Sequence, residues 1–186
     1  LDIKGKKIII DAGPDFRYQM LRSQVKDLRA ILLTHGHKDH IGGLDDVRAF
    51  NWVKQGAVDV YGNEGTREVV YKDFSYAFAA FRYPGVPEIN YHVIDDRPFY
   101  IDDIQVVPIP VLQYKMPVLG FRIGNFAYIT DAKTIPASSM ERLKGVEYLV
   151  INALRKELHM SHFNLEEALT MIAHIQPKSA FLTHIG

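Results

Sequence analysis

Leu28-Arg29-Ala30-Ile31-Leu32-Leu33-Thr34 is a short, nearly continuous apolar run that passes directly into His35-Gly36-His37-Lys38-Asp39-His40. A strand of that composition needs cover on both faces, the habit of parallel strands in layered α/β proteins. Ile8-Ile9-Ile10, closed by Asp11-Ala12-Gly13-Pro14, reads the same way after a turn at Lys4-Gly5-Lys6-Lys7. Further strands are expected at 58–61, 99–107, 147–152 and 179–183. Gly124-Asn125 is a two-residue hairpin signal between 120–123 and 126–130. Residues 41–54 read as a helix with Leu44, Val47 and Trp52 among its apolar positions. Residues 64–83 read as an aromatic helix stopped by Pro84-Gly85-Val86-Pro87. Asn164 with Glu167 predicts a capping box opening a helix with Leu165, Ala168, Leu169 and Ile172 on one face. Strands alternating with helices, with hairpins among them, predict a mixed-sheet α/β architecture.

The chain has 186 residues, 47% hydrophobic and 24% charged, which suits a single domain over 1–186 with an apolar core. It has no cysteine, so disulfides, thiolate metal sites and cysteine nucleophiles are excluded. Lys+Arg and Asp+Glu both number 22, and this balance makes nucleic acid an unexpected partner. No apolar run approaches the roughly 18–20 residues of a membrane span, and no signal peptide opens the chain. The expectation is a cytoplasmic protein without a membrane partner.

Three of the eight histidines fall within 35–40, beside Asp39. Imidazole and carboxylate together suit zinc, manganese or iron. Residues i and i+2 of a strand point the same way, so His35 and His37 can converge on one ion. Asp39 and His40 fall in the turn that opens the next helix and can face a second. Asp11, His35, Asp131 and His184 each follow a strand end, where layered α/β folds place their chemistry.

The six residues 35–40 match the H-x-H-x-D-H signature of the metallo-β-lactamase superfamily, and the resemblance covers nearly the whole chain. Asp11 resembles the aspartate of the first motif, which supports the histidine loop. Asp131, in Ala127-Tyr128-Ile129-Thr130-Asp131, resembles the carboxylate shared by two metals, and His184 resembles the last ligand. The nearest branch looks like the phosphoribosyl cyclic phosphate hydrolases and the transfer-RNA 3′-processing ribonucleases. The resemblance implies a four-layer αββα sandwich and two divalent ions, zinc or manganese, with iron as a third candidate. One ion would take His35, His37, a later histidine and Asp131; the other would take Asp39, His40, His184 and Asp131. Asp39 and His162 would be catalytic, with His162 protonating the leaving group, supported by Asp11, Glu166 or Glu167. Gln113 stands where the later histidine is expected and offers only a weak carbonyl ligand. Relative to the family, the chain reads as incomplete at both termini.

The function so implied is hydrolysis of a small phosphodiester, which can be cyclic, by a dinuclear metal-bound hydroxide. Two alternatives stand beside it: a binding or mononuclear module that lost one metal through Gln113, and a hydrolase of another ester or of a lactam. Lys115 and Arg155 are candidate contacts for a substrate phosphate. The aromatic stretch 71–83 reads as core, with stacking on a substrate as the alternative. His159 and His174 read as surface residues, and His92 matches no motif. Family analogy implies a homodimer and names no interface.

Overall fold

In the computed structural model, which describes residues 1–186, the apolar runs become strands of two sheets, one in each of two units, Leu1–Asp95 and Asp96–Gly186. The first unit holds β1 (Asp2–Ile3), β2 (Lys6–Ile10), α1 (Phe16–Arg22), β3 (Ala30–Leu32), α2 (Lys38–Ile41), a 3-10 turn at Leu44–Val47, α3 (Arg48–Lys54), β4 (Val58–Gly62), α4 (Glu64–Asp73), α5 (Ser75–Phe78) and β5 (Ile89–Val93). Its sheet runs β1-β2-β3-β4-β5, antiparallel at the β1–β2 hairpin and parallel thereafter. Ile9 pairs with Ile31 and Ile31 with Val60, so β-branched side chains stack along one face. Ile31 and Val60 are fully buried there with Phe16, Ile41, Leu44 and Val47. Each such burial contributes about 1.5–3 kcal/mol.

The expected helix over 41–54 is interrupted. Gly43 donates its N–H to Ala12 O at 2.7 Å, and a Cβ at Gly43 would sit 2.2 Å from Gly13 O. Only glycine fits that crossing, and it bends the chain out of α2. Trp52, read as an apolar position of this helix, is 81% exposed. The aromatic helix also breaks, at Phe74, into α4 and α5. Phe74 is buried and Tyr71 stacks on Phe78 at 3.9 Å, whereas Phe81 and Tyr83 lie exposed beyond the helix. Of the aromatic residues in the stretch, Phe74 and Phe78 pack into the core, whereas Tyr71, Tyr76, Phe81 and Tyr83 are exposed.

The second unit holds β6 (Phe99–Ile101), β7 (Ile104–Gln113), β8 (Met116–Ile123), β9 (Phe126–Ile129), α6 (Ala137–Arg142), β10 (Tyr148–Asn152), α7 (Leu165–Ile175) and β11 (Ser179–Thr183). The sheet order is β11-β10-β9-β8-β7-β6. Strands β6 to β9 form an antiparallel meander, and β9, β10 and β11 run parallel. The Gly124-Asn125 hairpin forms as expected, with Ile123 opposite Phe126. The expected strand over 99–107 is two strands joined at Asp102-Asp103, where Asp102 takes a left-handed φ of 54°. The capping box is present: Glu167 N–H donates to Asn164 Oδ1 and Asn164 N–H to Glu167 Oε2, both at 2.9 Å. Leu169 is exposed, and the packed face of α7 is Leu165, Ala168, Met171, Ile172 and Ile175. The fold class is mixed-sheet α/β, and no helix is long and apolar enough to cross a membrane.

Candidate metal centre

The ends of parallel strands carry the polar residues. Asp11 follows β2, Thr34 and His35 follow β3, Asp131 follows β9, and His184 follows β11. Asp11, Asp131 and His184 all take left-handed backbone, with φ of 62°, 56° and 53°. Non-glycine residues adopt that region at a cost of about 1–3 kcal/mol and gather at functional sites.

In the first unit, Asp11 organises the histidine loop. Its Oδ1 accepts from the Thr34 N–H and its Oδ2 from the Thr34 hydroxyl, each at 2.8 Å. His40 Nδ1 lies 2.6 Å from the same Oδ2. Because the Thr34 hydroxyl gives its hydrogen to Asp11, its oxygen accepts from His35 Nδ1 at 3.0 Å. Burial pushes the Asp11 carboxyl up, and the His40 hydrogen bond opposes that rise. His35 and His40 are buried, with ring centroids 4.2 Å apart; His35 and His37 are 4.6 Å apart. His37 and Asp39 are exposed, and Asp39 Oδ2 lies 3.3 Å from His40 Nε2. Each buried imidazole thus uses Nδ1 for an outer hydrogen bond, the arrangement that orients metal-bound histidines. Gly13 is required beside it, since a Cβ there would meet Asp39 O at 2.4 Å.

In the second unit, Asp131, His162 and His184 offer ligand atoms that all lie within 4.8 Å of one another. Asp131 is buried; its Oδ1 sits 2.9 Å from His162 Nε2, and its Oδ2 sits 3.2 Å from His184 Nδ1. The His162 and His184 rings stack at 5.2 Å with 14° between planes. The Gln113 amide nitrogen donates to Asp131 Oδ1 at 2.9 Å and lies 2.8 Å from His162 Nε2. On its other edge, His162 Nδ1 meets Ser161 Oγ at 2.9 Å and His159 Nδ1 at 3.1 Å.

The carboxylate nearest His162 is Asp131, rather than any of the three candidates read from sequence. Glu167 is committed to the capping box and to Lys133 at 2.6 Å, and Asp11 to Thr34 and His40. His159 is half-buried and joins the buried cluster through His162. Desolvation, with the neighbouring His162, Arg155 and Lys133, holds the His159 imidazole below its ordinary range. Asn152, which no motif marked, clamps the loop after Asp131: Ala132 N–H donates to its Oδ1 at 2.9 Å and its Nδ2 to Ala132 O at 3.0 Å. Lys115 stands over the Tyr114 ring at 5.3 Å, and Arg155 donates to Leu158 O at 3.1 Å. His92 lies on β5, stacked on Tyr61 and paired to Asp59 at 2.9 Å.

Comparison with known proteins gives the chain a family. The model of the beta-lactamase superfamily domain matches residues 6–185, across both units. A solved diphosphatase of the PhnP family is 35% identical, with a TM-score of 0.90, over 98% of this chain and 70% of that one. An octanoyltransferase of Porphyromonas gingivalis is 39% identical over 184 residues, 98% of this chain and 37% of that protein. A ribonuclease Z of Acaryochloris marina is 33% identical over 120 residues, 62% of this chain and 37% of that protein. The chain thus spans little more than a third of the length of these curated relatives.

Proposed function

The chain belongs to the beta-lactamase superfamily of metal-dependent hydrolases, in its phosphodiesterase branch, and we propose that it hydrolyses a small phosphodiester with the help of divalent metal ions. The carrying observation is the held state of the donors: Asp11 and Thr34 occupy the Nδ1 edges of His40 and His35, which fixes these rings for coordination at Nε2. His35, His37, Asp39, His40, Asp131 and His184 would hold two ions, zinc or manganese by the mixture of imidazole and carboxylate. Such ions, when bound, supply charge that polarises a phosphoryl oxygen and acidifies water. Asp39, as the exposed carboxylate of the set, is assigned to take the proton of the attacking water. Lys115 or Arg155 would meet the substrate phosphate, and either can swing from its present contact because both side chains are bound only locally.

The diphosphatase relative favours a second substrate class, a diphosphate linkage, which the same ions could serve. The octanoyltransferase name belongs to a protein of which this chain matches little more than a third, and it assigns no acyl chemistry here. Parallel assays on an alkyl phosphodiester and on a diphosphate diester, after removal and return of zinc or manganese, test the proposal. Metal-dependent turnover of either supports it and ranks the two classes. Turnover that survives chelation contradicts it.

A further inference from the structure

We infer that His162 is a metal ligand through Nε2, alongside Asp131 and His184, and that His159 sets its tautomer. The inference rests on the metal-dependent reading above and concerns groups of the second unit only.

Two groups that can only donate fix where the His162 hydrogen lies. The Ser161 backbone N–H points at His159 Nδ1 across 3.4 Å, so that nitrogen is an acceptor. A hydrogen on His162 Nδ1 serves this edge, because His159 Nδ1 at 3.1 Å and Ser161 Oγ at 2.9 Å can both accept it. On the opposite edge, Gln113 presents an amide nitrogen to both Asp131 Oδ1 and His162 Nε2. Turning the amide over would set its oxygen 2.9 Å from a carboxylate oxygen, so the nitrogen belongs there. Its two hydrogens serve the two acceptors. Both edges give one answer: hydrogen at Nδ1, lone pair at Nε2.

That lone pair accepts from Gln113, and its nitrogen lies 2.9 Å from Asp131 Oδ1, so two electron-pair donors stand side by side with only the amide hydrogens to separate them. A cation resolves such a contact, and with His184 it would have three ligand atoms within reach of one another. His35 and His40 are held in the same way, by an outer bond at Nδ1. A leaving-group acid would instead need its hydrogen on Nε2. Gln113 cannot supply an imidazole, and its amide nitrogen has no lone pair to give, so it serves as a donor that the cation would displace at Nε2.

The test uses the wild-type chain, labelled with 15N at histidine, stripped by chelator and titrated with zinc. Long-range 1H–15N spectra, assigned by loss of one ring's signals in His162→Ala, should show His162 hydrogen on Nδ1 throughout and a large shift of Nε2 as zinc binds. His159→Ala should weaken zinc binding about 10–100-fold, and His159→Asn, whose carbonyl can accept from Nδ1–H, should restore most of it. If other imidazoles shift while His162 stays unchanged at saturating zinc, the ligand role is overturned and the metal-dependent reading survives. If His159→Ala binds zinc as tightly as wild type, the role of His159 is overturned. If no imidazole responds to zinc, both the inference and the reading beneath it fall.

Discussion

Gln113 and His162 meet nitrogen to nitrogen across 2.8 Å, and the same amide reaches Asp131 Oδ1 at 2.9 Å. An amide can make this triangle because it carries two hydrogens; an imidazole at 113 would carry at most one toward it. Gln113→His should therefore displace His162 as well as add a ligand. Zinc affinity should rise by about tenfold or more, some 1.4 kcal/mol. In that background His162→Ala should cost much less affinity than it does in the wild type. Calorimetric zinc titration of the two single variants and the double variant measures the coupling, and additive effects would show that the two residues act independently.

Asp11 is the common partner of Thr34 and His40. Asp11→Ala removes the acceptor at His40 Nδ1 and leaves the Thr34 N–H without its carboxylate. Metal affinity should fall about 10–100-fold, and stability by about 1–3 kcal/mol. Zinc titration and urea unfolding of the metal-free variant read the two effects separately.

The crossing of Gly43 under Gly13 is equally testable. A Cβ at Gly43 would press on Gly13 O at 2.2 Å and Phe16 Cβ at 2.5 Å, whereas Gly56 has open space around it. Gly43→Ala should destabilise by about 1–3 kcal/mol or more. Gly56→Ala should change stability little, and comparison of their urea midpoints checks both.

The chemistry of the histidine loop was legible because its residues are adjacent: His35, His37, Asp39 and His40 lie in one hexapeptide after one strand. The capping box and the Gly124-Asn125 hairpin were legible for the same reason, since each signal spans only a few residues. Helix α1 was not, because it buries only Phe16 and has no side-chain cap, so neither a stripe nor a start signal marks it. The β6–β7 hairpin turns at Asp102-Asp103 without the glycine that usually marks such a turn. His159 read as a surface residue because its role comes from a bond to His162 that composition cannot show. Asn152 reaches Ala132, the residue after Asp131, only through the pairing of β9 with β10.

Asp59 predicts the acid limb of stability. Desolvation alone would raise its carboxyl, but hydrogen bonds from His92, Arg29 and Asn90 outweigh it and hold the group below the usual range. A depressed carboxyl stabilises the fold above its unfolded value of 3.8 and loses that contribution as pH falls through the lower folded value. Asp59→Ala should cost about 1–3 kcal/mol near neutral pH. Its deficit relative to wild type should shrink below about pH 4. Urea unfolding at a series of pH values gives both.

Metal content and phosphodiester turnover, measured on one preparation of the wild-type chain purified without chelator, bear most directly on its being a metal-dependent hydrolase. Elemental analysis should find zinc, manganese or iron at one equivalent or more, with hydrolysis of an aryl phosphodiester that chelation abolishes and added metal restores. A chain that carries no metal, ignores added zinc and manganese, and turns over no phosphodiester would contradict it.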